Sequence, residues 1–339
     1  MRLSALGDVV LAAAAVTALA AAERDADITW ITDRVFVPVL RGLPHNVRLL
    51  PVGKPRSLSD YLALRRELDG RQYDLLLAMQ ASFRANLVYP LIRAPVKVGF
   101  DGPRSRELHS LFINDRIAPG DAHLLDWFMA FVEAAGVPDA QPHWTLQLDP
   151  AAQAWAREAT GGGPYLLINP RASKPTRNWP AARNAEIARK AMVEHGIRVV
   201  LCGGPGADDR AAAAQIAQEA PGAVDLSGQT DLPKLFALIA GARALLSPDS
   251  GPVHIARAFD VPVVGLYADA RSAKTGPYRR MRWSVDHWAD AVRQILKKDP
   301  AGVPWDTRVH DARAMELITV EEVALKLAAA LAAGEDKSG

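Results

Sequence analysis

Residues 245–267 read LLSPDSGPVHIARAFDVPVVGLY, and the order of residue types in this stretch decides the fold. An apolar run, Ala244 to Leu246, ends in the turn-forming Ser247-Pro248-Asp249-Ser250-Gly251-Pro252. An amphipathic helix over Val253 to Phe259 follows, and then a second apolar run, Val261 to Leu266. Strand, tight loop, helix and strand make a βαβ unit. Its loop lies at the carboxyl end of the first strand, where open α/β sheets bind their ligands. Asp249 or Ser250 has the side chain to cap the helix, and Pro252 suits the first turn because its missing N–H would have no partner there. Gly251 lets the backbone come close to a ligand, and the free N–H groups together with the helix dipole favour an anion. His254 follows Ser250 by one helical turn and leans back toward that anion site. A phosphate-bearing ligand suits the loop. An ordinary capped turn with a surface histidine uses the same residues, so the rest of the chain has to decide.

The chain has 339 residues, enough for two domains. Hydrophobic residues make up 49% and charged residues 23%, the balance of a globular protein rather than a disordered one. A net charge of +2 is too small for a protein that coats nucleic acid and fits local basic patches that face anionic ligands or a membrane surface. The single cysteine, Cys202, excludes an intrachain disulfide framework and any CxxC site. It sits in the apolar run Val199 to Cys202 and reads as a small buried hydrophobe in a reducing cytoplasm. Met1-Arg2 followed by an Ala/Leu/Val-rich run ending Ala20-Ala21-Ala22 resembles a signal peptide. However, Asp8 interrupts what would be its apolar core, and Gly7-Asp8 reads as a helix start. No other run approaches the roughly 18–20 apolar residues of a membrane span.

Apolar strands alternate with helices along the whole chain. After a first helix over 9–22 come a strand at 27–32, a short helix at 35–40 and a strand at 47–52. A helix at 57–68, a strand at 73–79, a helix at 82–92, a strand at 96–100 and a helix at 121–135 follow, with Asp121 placed to cap the last. This alternation predicts a parallel sheet covered on both faces. Gly161-Gly162-Gly163-Pro164 breaks the pattern, and a second alternation starts at Tyr165. The reading is an α/β protein of two Rossmann-like domains with mostly parallel sheets facing a central cleft. One domain covers 1–155 and the other 160–318, with a terminal helix over 319–334 and a disordered tail at 335–339. Thr319 with Glu322 fits a capping box for that helix.

Several strand-end loops carry chemistry. Arg171, Lys174 and Arg177, in RASKPTRNWP after the strand ending at Asn169, bring three cations to a sheet edge just before a helix, which is how a diphosphate is gripped. Gly203-Gly204-Pro205-Gly206 lacks the GxGxxG spacing of a dinucleotide fingerprint and reads as a turn beside a nucleotide, with Asp208 or Asp209 near a ribose. Thr230 and Leu232 are placed to line a base pocket or to start the next helix. Asp8 stands at a helix N-terminus, either as a plain cap or as a general base. Lys54, Arg56, Arg84, Arg104 and Arg106 lie in loops after strands or early in helices, where they are solvated or face an acidic acceptor. His109, His123, His143 and His310 have no metal-ligand spacing, so neither a metal nor a cofactor is expected.

Four blocks in order, RLSALGDVV (2–10), NPRASKPTRNWP (169–180), SPDSGPVHIARAFDVPVVGLY (247–267) and KTGPY (274–278), resemble glycosyltransferase family 9, the ADP-heptose:lipopolysaccharide heptosyltransferases. The resemblance runs from residue 1 to about 330. It implies a GT-B fold and a cytoplasmic enzyme at the inner membrane face. The implied reaction is metal-independent, inverting transfer of a heptose from ADP-heptose to Kdo or heptose on lipid A. On matching positions Asp8 is similar to the family's base, and Arg177 stands where the family usually has a lysine on the donor diphosphate. Asp249, Ser250, Gly251 and His254 match the donor loop, with Ser250 where many members have Thr. Thr230 and Leu232 fall where adenine is contacted. Two features usual in the family are missing here: a complete first strand ahead of the Arg-Leu-Ser equivalent, and a proline in helix one, where Ala14 stands near that place. These departures lead to the expectation that the native start lies upstream. A periplasmic solute-binding protein, also two α/β lobes, is the alternative, and so is a member of the family with another nucleotide sugar or acceptor.

Overall fold

The computed structural model describes residues 1–53, 55 and 57–335; Lys54, Arg56 and residues 336–339 of the expected tail lie outside the described residues. The chain forms two compact units, Met1–Gln147 and Leu148 onward.

The first unit carries β1 (Ile28–Asp33), β2 (Val47–Val52), β3 (Leu75–Leu77), β4 (Val96–Gly99) and β5 (Asp115–Arg116). Strands β1 and β2 pair with each other, β3, β4 and β5 form a second sheet, and every pairing is parallel. Residues 1–3 run between the two sheets. The Arg2 N–H donates to the Ile31 carbonyl at 3.2 Å, and the Met1 amino group donates to the Leu77 carbonyl at 2.6 Å. That placement delivers the following loop, and Asp8 with it, to the carboxyl ends of β1 and β3. The helices are α1 (Leu6–Ala22), α2 (Leu58–Leu68), α3 (Phe83–Asn86) and α4 (Leu124–Ala134). Every residue from Val9 to Ala18 in α1 is buried. A helix that is apolar around its whole circumference belongs in a core. The run that resembles a signal peptide is thus the core helix of this unit, packed on α4.

Local details differ from the sequence reading for identifiable reasons. Helix α1 begins at Leu6, so Asp8 occupies its third position rather than its cap. The helix expected over 82–92 stops at Asn86, and Pro90, which has no N–H to continue it, lies in a 3₁₀ turn over Tyr89–Leu91. Pro38 accompanies a 3₁₀ turn over Arg34–Val39 in place of the short helix. His123 caps α4 instead of Asp121, its Nδ1 accepting the Leu125 N–H at 3.0 Å. Strand β5, two exposed charged residues long, has no apolar run to announce it.

The second unit contains α5 (Pro150–Thr160), β6 (Tyr165–Ile168), α6 (Ala181–His195), β7 (Arg198–Leu201), α7 (Ala207–Glu219) and β8 (Val224–Asp225). It continues with α8 (Leu232–Gly241), β9 (Ala244–Pro248), α9 (Gly251–Ala258), β10 (Val263–Tyr267) and β11 (Val285–Asp286). Helix α5, which straddles the expected boundary between 155 and 160, belongs to this unit and packs on α8. The sheet order is β11-β10-β9-β6-β7-β8, all parallel. Strands β6, β9 and β10 are buried at every residue, which explains their unbroken apolar sequences. Chain order reverses between β6 and β9. This is the switch point, the place where open parallel sheets usually bind their ligands. The terminal helix, Val320–Glu335, packs on α6, β9 and β10. Its start is the predicted capping box, with the Thr319 N–H donating to Glu322 Oε2 at 3.0 Å and the Glu322 N–H to Thr319 Oγ1 at 3.3 Å.

Candidate functional site

The loops that leave β6 and β9 meet at the switch point. Asn169, just past β6, donates from Nδ2 to the Arg171 carbonyl at 3.0 Å, to Ser247 Oγ at 3.0 Å and to Ser250 Oγ at 3.1 Å. One buried amide therefore ties the two loops together. Ser250 holds the cap position of α9, but its hydroxyl lies 2.8 Å from Ser247 Oγ and bonds no helix N–H. The expected capping by Asp249 or Ser250 is therefore not how this helix starts. Its Ser250 side chain is taken up by the loop tie, and the amino end of the helix is left to another acceptor. Gly251 and Pro252 open the helix and His254 lies buried in its first turn.

Arg177 crosses from the first loop to the second. Its Nη1 stands 3.2 Å from Asp249 Oδ2 and donates to the Asp249 carbonyl at 3.3 Å, and its Nε stands 3.6 Å from Asp269 Oδ2. Both carboxylates are buried, and a buried charge is tolerated only beside its opposite. Beneath them, burial first and then the charges of Asp249 and Asp286 hold the Tyr267 phenol well above its ordinary range. Tyr267 is therefore a neutral floor to the site at any working pH.

Arg171 faces the next loop, with Nη2 3.2 Å from Asp208 Oδ2 and Nε 3.4 Å from Asp209 Oδ1. The glycine turn closes around Asp209: a Cβ at Gly204 or Gly206 would come within 3.0 or 3.2 Å of its Oδ2. Lys174 is exposed at the head of the 3₁₀ turn Pro175–Arg177. Thr230 and Leu232 are half-buried in the loop after the edge strand β8 and at the first residue of α8. Sequence reasoning missed Asp269 and Arg308. Asp269 had a usable signal, since it stands two residues past an apolar strand at the ligand-bearing edge. Arg308 had none.

In the first unit, Asp8 is paired with Arg2, and its Oδ2 also accepts the Ala5 N–H at 3.1 Å. Arg2 donates from Nη1 to the Met79 carbonyl at 2.6 Å, which fixes the guanidinium against the end of β3. Gln80 fastens the same loop, its Oε1 accepting the N–H groups of Leu3 at 2.8 Å and Ser4 at 3.3 Å. A cavity of about 360 Å³ opens here, with Ser4, Gln80, Ser82, Phe83, Arg84 and Glu107 in its lining. Arg84 and Arg106 are exposed. Arg104 is engaged internally instead. It donates to Asp101 Oδ1 at 2.6 Å and to the Ala118 carbonyl at 2.9 Å, and lies over the Trp127 ring at 4.4 Å. Lys54 and Arg56 lie outside the described residues. Among those residues no three His, Cys, Asp or Glu side chains group to hold a metal.

Loops tied together at the switch point of a parallel sheet, with arginines gathered at a helix N-terminus, have the chemistry that suits a phosphorylated ligand. A family model for glycosyltransferase family 9 (heptosyltransferase) matches residues 61–298, and the chain belongs to that family. It is a glycosyltransferase. Over 328 residues it is 35% identical to the lipopolysaccharide core heptosyltransferase OpsX of Haemophilus influenzae, covering 95% of this chain and 93% of that protein. The fold is similar to that of a glycosyl transferase of family 9 from Veillonella parvula, with a TM-score of 0.78, 22% identity and 97% of each chain covered. It is also similar to the E. coli heptosyltransferase WaaC solved with ADP, with a TM-score of 0.67, 24% identity, and 88% of this chain and 99% of that one covered. The fold is of the GT-B type. Family membership sets aside the solute-binding alternative.

Proposed function

We propose that this glycosyltransferase moves a heptose from ADP-heptose to an inner-core acceptor of lipopolysaccharide, Kdo or heptose on lipid A, with inversion and without metal or cofactor. The observation that carries the reading is the Arg177–Asp249 pair at the head of α9, built from two of the four family blocks. Related proteins named for this reaction, among them OpsX of Haemophilus influenzae, support the choice of sugar and acceptor.

In this reading the second unit holds the donor. Arg177, Lys174, Arg171 and the amino end of α9 (Gly251 onward, with His254 in its first turn) take the diphosphate. They stabilise the charge that grows on it as the anomeric bond breaks, and preorganised stabilisation of that kind usually contributes most to catalysis. Asp208, Thr230 and Leu232 serve the ribose and base. The first unit supplies Asp8, which takes the proton from the attacking acceptor hydroxyl. Arg84 and Arg106, beside the cavity at Gln80, meet the acidic acceptor, together with Lys54 and Arg56.

We further infer a cytoplasmic enzyme in peripheral contact with the inner membrane. Among the described residues no helix is long and apolar enough to cross a membrane. Phe83, Leu108 and Leu111, exposed at 51%, 58% and 72%, stand among Arg84 and Arg106, a mixture that suits an anionic lipid surface. The direct test is incubation with ADP-heptose and Kdo-bearing or heptose-bearing lipid A, following ADP release. Turnover with ADP-heptose supports the reading; release only from another nucleotide sugar, or from none, overturns it.

A further inference from the structure

The donor loops share a cation that belongs to none of the family-like blocks. Arg308 lies in the segment between β11 and the terminal helix, 131 positions after Arg177. Its Nη1 stands 3.6 Å from Asp249 Oδ2 and 3.4 Å from Asp269 Oδ2. These are the same two oxygens that Arg177 approaches at 3.2 and 3.6 Å. Two guanidinium groups thus straddle two buried carboxylates.

Asp269 fixes the segment as well as the charge. Its Oδ1 accepts the His310 N–H at 2.8 Å, and its carbonyl accepts the Val309 N–H at 2.9 Å. The two residues that follow Arg308 are therefore hydrogen-bonded to Asp269, which holds Arg308 beside it. The two arginines keep 18% and 24% of their side chains exposed, whereas the carboxylates keep 8% and 3%. The cationic side of the network is the side a solute reaches.

The network is balanced in charge but incomplete in hydrogen bonds. Asp249 Oδ2 and Arg177 Nε are buried and make their ionic contacts without a hydrogen bond. Guanidinium groups bind phosphate oxygens most strongly through aligned, paired N–H donors. The aspartates give Arg308 one hydrogen bond, from Nη1 to Asp269 Oδ2 at 3.4 Å, and give Arg177 none to a carboxylate oxygen, so an entering diphosphate would offer both arginines acceptors they lack.

We propose that Arg308 is a second cation on the diphosphate of the donor, working beside Arg177. The inference rests on reading the second unit as the donor site, and the test separates the two ideas. Calorimetric titration of the full chain with ADP and with adenosine isolates the share of affinity that comes from the diphosphate. If the unaltered protein binds ADP no better than adenosine, the donor-site reading fails and takes this inference with it. If it prefers ADP, Arg308→Ala decides. We expect ADP affinity to fall about tenfold or more while adenosine affinity holds, and Arg308→Lys to recover part of the loss. Unchanged ADP affinity in Arg308→Ala overturns the role, and so does an equal loss for ADP and adenosine, which would mark Arg308 as structural support only.

Discussion

Asp8 and Asp249 are both aspartates at the amino end of a helix beside an arginine, yet they are built in opposite ways. Asp8, in the first turn of α1, finds its arginine six positions earlier, in the segment that leads into that helix. Asp249 finds Arg177 from 72 positions away and Arg308 from 59, and shares both with Asp269. The exposures differ accordingly, 25% for the Asp8 side chain and 8% for that of Asp249. A local pair costs little chain entropy to form and leaves its carboxylate within reach of water. A pair assembled across a sheet needs the whole unit folded first and ends buried among fixed charges. The first arrangement suits a group that must exchange a proton, and the second suits a preformed seat for an anion.

The sharpest way to break this contrast is Asp8→Ala. Turnover should fall by about 10²–10⁴, with ADP affinity held, because the loops proposed to hold the donor lie in the second unit and share no residue with it. Unchanged turnover would remove Asp8 from the role of base. Arg177→Ala should come next, lowering kcat by about 10²–10³ and weakening ADP as well; a variant that keeps both would mean that the preformed seat is not used. Arg2→Gln should cost about tenfold in kcat with little change in KM for either substrate, since it frees the Asp8 carboxylate without removing it. A loss confined to KM would argue that Arg2 meets substrate directly.

The smallest effect concerns pH. His109 in the first unit is fully buried, with Nδ1 2.8 Å from Asn86 Oδ1 and Nε2 accepting the Phe100 N–H at 3.2 Å. These partners call for the neutral ring with its proton on Nδ1. Burial first, and then the Arg116 charge, lower its pKa to about 4. The unfolded histidine titrates near 6.5, so between those values the unfolded chain holds the extra proton. Stability from this group is complete above about pH 6.5 and is lost as pH falls toward 4. Thermal unfolding followed by near-ultraviolet dichroism should show the first unit loosening over that window. An imidazole NMR signal for His109 that titrates near 6.5 in the folded protein would contradict it.

Much of the fold could be read from the chain because its strands are buried on both faces and so appear as unbroken apolar runs, as at 165–168 and 263–267. Asp249 to His254 and Arg171 to Arg177 were legible as strand-end loops at the switch point because each follows such a run. Other features had no local signal. Pro90 and His123 set helix ends through single side-chain constraints that hydropathy does not register. Arg308 and Asp269 meet only in three dimensions, and Arg104, which looked like a free cation, is fixed by Asp101 and Trp127. Ser250, read as a cap, became a tie because its hydroxyl is taken by Asn169, just past β6, and by Ser247.

Asn169 has one more consequence. Asparagines in exposed or strained loops age by deamidation, in which the main-chain nitrogen of the following residue attacks the side-chain amide and expels ammonia. Here the following residue is Pro170, whose ring nitrogen carries no hydrogen to lose. The amide that joins the β6 and β9 loops is thereby shielded from the commonest chemical decay of its residue type. That shielding matters, because conversion to aspartate would replace a donor facing three oxygens with a negative charge beside the place assigned to phosphate.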